Sequence, residues 1–218
     1  MFTFPASSIV NRVIPKARII ENARPTTRLK DLLTNQIQQI RWHAKLSPET
    51  IKIPATSQVP EIQIFHLTLK DSEIHPDLLG LLDKTIPQPM LMVIEAADHK
   101  LAHSAAFKRP SDADASQWVV GARFTSTFVI QPSSFPPLPV ALDLSRLYTA
   151  LLQPLLPLTS RKSEPLLALI ERCDRHQSLQ RRIALLTAKV NREKQFNRRV
   201  ASNQELNVLR AELAGISR

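Results

Sequence analysis

The chain has 218 residues, 43% of them hydrophobic, which suffices for one sizeable core and an extension. With only 3 Gly against 17 Pro, glycine-rich phosphate cradles are not expected, and the single Cys173 excludes an intramolecular disulfide and a cysteine-built zinc site. The formal net charge of +10 is confined to the two ends: residues 1–45 carry eight Lys or Arg against Glu21 and Asp31, residues 46–160 carry eight against eleven acids, and residues 161–218 carry thirteen against six.

Basic ends around a mildly acidic middle suit an anionic partner, of which nucleic acid is the commonest, although a solvated charged face has the same composition. The chain does not open on a basic-then-apolar leader, and its longest apolar runs fall short of the ~20 residues that a membrane span needs. With a lone cysteine, this reads as a soluble cytoplasmic protein of a reducing compartment, with no membrane partner.

In chain order, Thr26 and Thr27 precede Leu29, Leu32, Leu33, Ile37 and Ile40 at helical spacing, predicting an amphipathic helix that runs to Lys45. Its basic residues Arg28, Lys30, Arg41 and Lys45 would line the exposed face. Trp42 near its end admits base stacking, but core packing is the commoner role for such an aromatic. From Glu61 the run IQIFHLTLK is apolar on both alternations, as a strand buried on both faces requires. Pro76 starts a short helix with Leu78, Leu79, Leu81 and Leu82. PMLMVIEA and LAHSAAFK then read as two strands turning at Asp98, His99 and Lys100. QWVVGARFTSTFVI reads as a fourth strand, with Gly121 marking a bulge.

The order β, α, β, β, β argues for an α+β fold: a mixed, mostly antiparallel sheet with helices on one face. Residues 131–139, QPSSFPPLP, suit an extended connector. A short helix follows around Leu142 to Leu152, capped by Asp143 or Ser145.

Beyond Pro165, apolar residues fall at Leu169, Cys173, His176, Leu179, Ile183, Leu186 and Val190, a mean step near 3.5, which is coiled-coil spacing. The register fails at Glu193 and Asn197 and resumes as Leu206, Leu209, Leu213 and Ile216. Either a stutter or a chain reversal breaks a register in this way. Reversal near Arg192 to Asn197 is favoured, giving a C-terminal antiparallel coiled-coil helical hairpin closed by Phe196 and Val200. The expected organisation is an α+β domain over 1–158 and a basic coiled-coil arm over 163–218. Seven basic residues, Arg181, Arg182, Lys189, Arg192, Lys194, Arg198 and Arg199, are opposed only by Glu193 and would gather near the tip as nucleic-acid-binding residues. Such a surface grips phosphate without reading bases, or docks an acidic partner protein.

Catalytic signals are weak. His99 and His103 across a turn are a poor metal pair, and the set Asp71, Glu95 and Lys108 only loosely resembles a magnesium nuclease, since no Glu-x-Lys pairing accompanies it. Cys173 on the apolar seam reads as packing. Neither a catalytic residue, a metal ligand nor a cofactor is assigned.

The stretches KLSPETIKIPAT, PEIQIFHLTL, DKTIPQP, AAFKRP, LPVALDL and KQFNRRVASNQEL together resemble a bacterial family known as domain of unknown function 4391, over essentially the whole chain. Its members tend to be encoded beside Swi/Snf-like helicases and DNA methyltransferases in restriction or phage-defence clusters. The resemblance implies an accessory subunit of such a DNA-acting system; with the basic arm and the weak catalytic signals, the leading expectation is a non-enzymatic subunit that binds DNA, or a helicase or methyltransferase partner, through that arm, and the alternative is a metal-dependent nuclease subunit of such a system. The resemblance carries over no catalytic residues. The broken heptad with its Phe-Asn tip also looks like the helical arm at the end of valyl-tRNA synthetases, over about 50 residues and generically.

Overall fold

The computed structural model describes residues 2–114, 117–130, 135–162 and 164–217. It divides into two compact units, Met1–Leu155 and Leu156–Arg218. In the first, a 3-10 turn at Ala6–Ser8 leads to β1 (Ile9–Val13), α1 (Lys16–Ala23), α2 (Thr27–Gln36), β2 (Ile37–Leu46), α3 (Pro48–Ile51) and β3 (Ile62–Leu69). Then come α4 (Pro76–Thr85), β4 (Met90–Glu95), β5 (Lys100–Pro110), β6 (Trp118–Thr125), β7 (Val129–Ile130) and α5 (Leu144–Leu152). The strands form one sheet in the order β1-β2-β3-β4-β5-β6, with β7 also paired to β5. Only β3 and β4 run parallel, joined by α4 as a crossover; the other pairings are antiparallel. The α+β class expected from the element order is the one observed.

Each central element has a local cause. Six of the eight residues of β3 are buried, on both alternations, and β2 and β4 pair with its two edges. Pro76 opens α4 behind His75, whose Nδ1 accepts the Asp77 N–H at 3.2 Å, and Leu78, Leu79, Leu81 and Leu82 are buried. Ile19 of α1, Leu33 of α2 and Leu78 and Leu82 of α4 share one core with Ile40, Leu67, Met92 and Ile94 of the sheet. Asp143 caps α5 by accepting the Arg146 N–H at 2.8 Å. Within α5, Tyr148 stacks on Phe107 with centroids 6.4 Å apart and donates its hydroxyl to the Ala106 carbonyl at 3.0 Å.

The helix predicted to run to Lys45 is corrected. It ends at Gln36, and residues 37–46 form β2, an interior strand of the sheet. The misleading signal has a specific origin. Ile37 pairs with Leu69 and Gln39 with Thr68, so Gln38 is an extra, bulged residue. The bulge places Ile37 and Ile40, three residues apart, on the same buried face, which in sequence looks like helical spacing.

The expected fourth strand is divided. β6 and β7 lie in succession along β5, and between them Ser126 substitutes for the ladder: its N–H donates to the His103 carbonyl and its hydroxyl accepts the His103 N–H, both at 2.9 Å. The detour lets Phe128 pack on the core. Gly121 does mark a bulge, since Gly121 and Ala122 together oppose Phe107. A Cβ at Gly121 would sit 3.3 Å from the Phe107 carbonyl oxygen, a close approach that favours glycine. Part of the expected connector, residues 131–134, lies outside the described residues; beyond it, Thr3 donates its N–H to the Pro136 carbonyl at 2.8 Å and its hydroxyl to the Phe135 carbonyl at 3.0 Å.

In the second unit, α6 (Leu166–Arg192) and α7 (Phe196–Ser217) pack against each other. The pairs Arg175–Glu212 at 2.5 Å and Arg182–Glu205 at 3.7 Å run in opposite directions along the two helices, so the hairpin is antiparallel and reverses at Glu193–Gln195. Leu169, Cys173, His176, Leu179 and Val190 of the predicted seam are buried, as are Leu206 and Leu209 opposite them. Burial also pushes the Cys173 thiol up, as expected of a packing residue.

Candidate nucleic-acid interface

The reversal is made by backbone and one carboxylate. The Glu193 N–H donates to the carbonyls of Lys189 and Val190 at 3.0 and 3.3 Å, closing α6, and its Oε1 accepts the Gln195 N–H at 2.9 Å. The only acid in the basic segment is thereby engaged by its own turn. Around it stand Lys189, Arg192, Lys194, Arg198 and Arg199, all exposed and, among the described residues, without a carboxylate partner.

Arg181 and Arg182 are also exposed but lie about three turns below the end of α6, roughly 15 Å down the helix. Arg182 pairs with Glu205. The structure therefore brings five of the seven predicted residues to the tip and sets two apart on the shaft. Contrary to expectation, Phe196 and Val200 do not close the tip; they are 69% and 39% exposed, and Val190 fills the seam nearest the turn.

Between these two groups the shaft carries a shallow groove of about 240 Å³ lined by Arg182, Leu185, Leu186, Lys189, Glu205 and Leu209. A second depression of about 390 Å³ continues past Leu185 and Ala188 to Arg192 and Glu193. Leu185 is 73% exposed. At the opposite end of the arm, Arg172 holds Glu164 through two bonds of 2.8 Å and donates to the Thr159 and Ile216 carbonyls at 2.7 and 3.2 Å. Hydrogen bonds from Arg172 hold the Glu164 carboxyl down at about 2. This clamp ties both helices to the segment before α6.

The first unit does not assemble the other candidates. The basic residues assigned to the first helix are dispersed: Arg28 pairs with Asp77 at 3.3 Å, Arg41 donates to Asn11 and Gln39 at 2.7 and 2.8 Å, and Lys45 pairs with Glu61 at 2.6 Å. Trp42 packs partly buried against the core of the sheet. Lys108 cannot join Asp71 and Glu95, because Glu95 pairs with Leu101 and alternation along β5 puts Lys108 on the opposite face. Its side chain is fully buried, 3.1 Å from Asp83, and donates to the Ile86 carbonyl at 2.5 Å. Arg123 of β6 pairs with the other oxygen of Asp83. Neither this buried triad nor the row in which Glu95 bridges His66 at 3.4 Å and exposed His99 at 3.0 Å was visible in sequence. Both depend on strand register. Among the described residues, no group of three His, Cys, Asp or Glu is placed to hold a metal ion.

His99 is engaged with Glu95 at the turn, whereas His103 lies opposite Val93 in the sheet. Its Nε2 is buried and, among the described residues, without a hydrogen-bond partner, and burial pushes the imidazole down to about 4. The unfolded chain binds this proton near the ordinary value of 6.5, so between about 6.5 and 4 it holds more protons than the folded one. Stability is complete above that window and falls as pH decreases through it. The loss expected from this residue, discounted for partial exposure, is on the order of 1–2 kcal/mol. Urea melts between pH 7 and pH 4 measure it: His103→Gln should flatten the profile, and an unchanged profile contradicts the assignment.

Among the described residues, no helix is long and apolar enough to cross a membrane. No curated protein and no solved structure matches the chain. The sequence profile of one family, described as Domain of unknown function (DUF4391), matches residues 2–213, nearly the full length and both units. The chain therefore belongs to the DUF4391 family.

Proposed function

We propose that this protein is a non-enzymatic accessory subunit that holds DNA through the tip of its helical arm, in a bacterial restriction or phage-defence system. The carrying observation is the set Lys189, Arg192, Lys194, Arg198 and Arg199 around a turn whose one acid is spent on backbone. Unpaired surface cations bind phosphate oxygens, in the case of Arg bidentately, and release condensed counterions from DNA. Contacts of this kind position a protein without selecting sequence, which suits a subunit whose partner does the chemistry. The test is anisotropy of a labelled duplex titrated with wild type and with a variant carrying Glu at all five positions. Binding by wild type and its loss in the variant is the expected result; equal affinities overturn the reading.

A second reading rests on the exposed Leu185 and the groove beside it, which offer apolar contact to a partner protein. A helicase or a DNA methyltransferase is the partner that the family resemblance implies. Leu185→Asp is expected to abolish co-purification with that partner and to leave the affinity for DNA within about twofold, since no phosphate contact is removed. Co-purification unchanged by the substitution removes the groove from the interface.

A further inference from the structure

Phe196 begins α7 directly after the turn, 69% exposed, within four residues of Arg192, Lys194, Arg198 and Arg199. A phenyl ring gains most from burial, so an aromatic left in water at the end of a hairpin is a poor contribution to folding. The arm gives it no alternative place. On a helix of 3.6 residues per turn, Phe196 and Val200 lie about 40° apart, and their mean direction is about 130° from that of Leu206 and Leu209, which fill the seam. Turning α7 to bury Phe196 would expose the seam.

A flat apolar surface set among unpaired cations is the pattern that binds single-stranded nucleic acid, in which bases stack on aromatics while basic side chains follow the backbone. In a continuous duplex the bases already stack on one another, and inserting a ring between them costs unstacking energy. Unpaired bases carry no such cost. A protein pocket for Phe196 would need an acidic rim to match the four cations around it, whereas single-stranded DNA supplies apolar faces and negative charge together.

We propose that Phe196 is a base-stacking residue and that the arm's tip prefers DNA with unpaired bases, a single strand or the open arm of a fork, over continuous duplex. This rests on the DNA-holding reading above and specifies its substrate. The experiment uses the full chain with labelled oligo(dT) and with a duplex of equal length at one salt concentration. Wild type is expected to bind oligo(dT) more tightly. Phe196→Ala should weaken that binding roughly 5- to 100-fold, leave the duplex affinity and the salt dependence nearly unchanged, and remove the preference. Phe196→Trp should retain it, with additional indole fluorescence quenched as oligo(dT) is added. Phe196→Ala binding oligo(dT) as wild type does, or Phe196→Trp binding without quenching, overturns the stacking role while the phosphate-holding role stands. Failure of wild type to bind either DNA, including where the tip serves a protein instead, overturns both.

Discussion

Asp83→Ala is expected to lower the unfolding free energy by about 3–5 kcal/mol, the usual cost of removing one member of a buried ion pair. Asp83 and Lys108 are fully buried, and Arg123 shares the same carboxylate from the margin of the core. Burial pushes the Lys108 ammonium down and Asp83 opposes that shift, so the pair is balanced against its own desolvation. Without Asp83, Lys108 keeps, among the described residues, only the Ile86 carbonyl as acceptor. The triad links α4 to β5 and β6, so the loss should appear as unfolding of the first unit. In a domain whose total stability is typically about 5–15 kcal/mol, this is at least about a fifth of the whole. Urea denaturation of the full chain measures it. The double variant Asp83→Leu with Lys108→Met should recover most of the loss, because Arg123 is partly exposed and can turn to water. A single variant as stable as wild type would show that the triad is not needed for the fold.

Reversing the five tip charges to Glu is expected to reduce DNA affinity on the order of 10³-fold at 50 mM salt, since five phosphate contacts become repulsions. The same change at Arg181 and Arg182 should cost far less. Those two lie down the shaft, and Arg182 already shares Glu205. The comparison separates a localised tip from a uniformly basic arm, and both variants alter only exposed side chains, so neither should unfold the hairpin. Parallel anisotropy titrations of the two variants measure the contrast. Equal losses would mean that the whole shaft lies along the DNA.

Sequence sufficed where the signal is local. The proline and acid caps of α4 and α5 describe contacts a few residues away, the double-sided apolar run of β3 and the heptad seam of α6 are periodicities contained within one element, and these elements formed where expected. β2 looks helical in sequence because a bulge at Gln38 gives strand residues Ile37 and Ile40 a helical interval. β1 leaves no clear pattern in the sequence: it is only five residues long and contains Asn11 at a left-handed φ of 51°, which disrupts any alternation. The positive charge of the tip was legible from composition, but its sharp placement was not. That required the turn at Glu193–Gln195 to set Arg181 and Arg182 apart and to occupy the Glu193 carboxylate. The exposure of Phe196 is hidden in the sequence for a related reason: its position after the heptad break suggests closure of the seam, and the turn instead rotates it to the outer face.

The central claim is that the tip holds DNA by its phosphates, and the slope of affinity against salt tests it most directly. If five cations each displace a condensed counterion from duplex DNA, log K should fall with log salt at a slope of about −4.5, roughly a 500-fold loss between 50 and 200 mM. A wild-type slope near that value, flattened toward zero in the five-residue variant, is the predicted result; a wild-type affinity for DNA indifferent to salt contradicts the account.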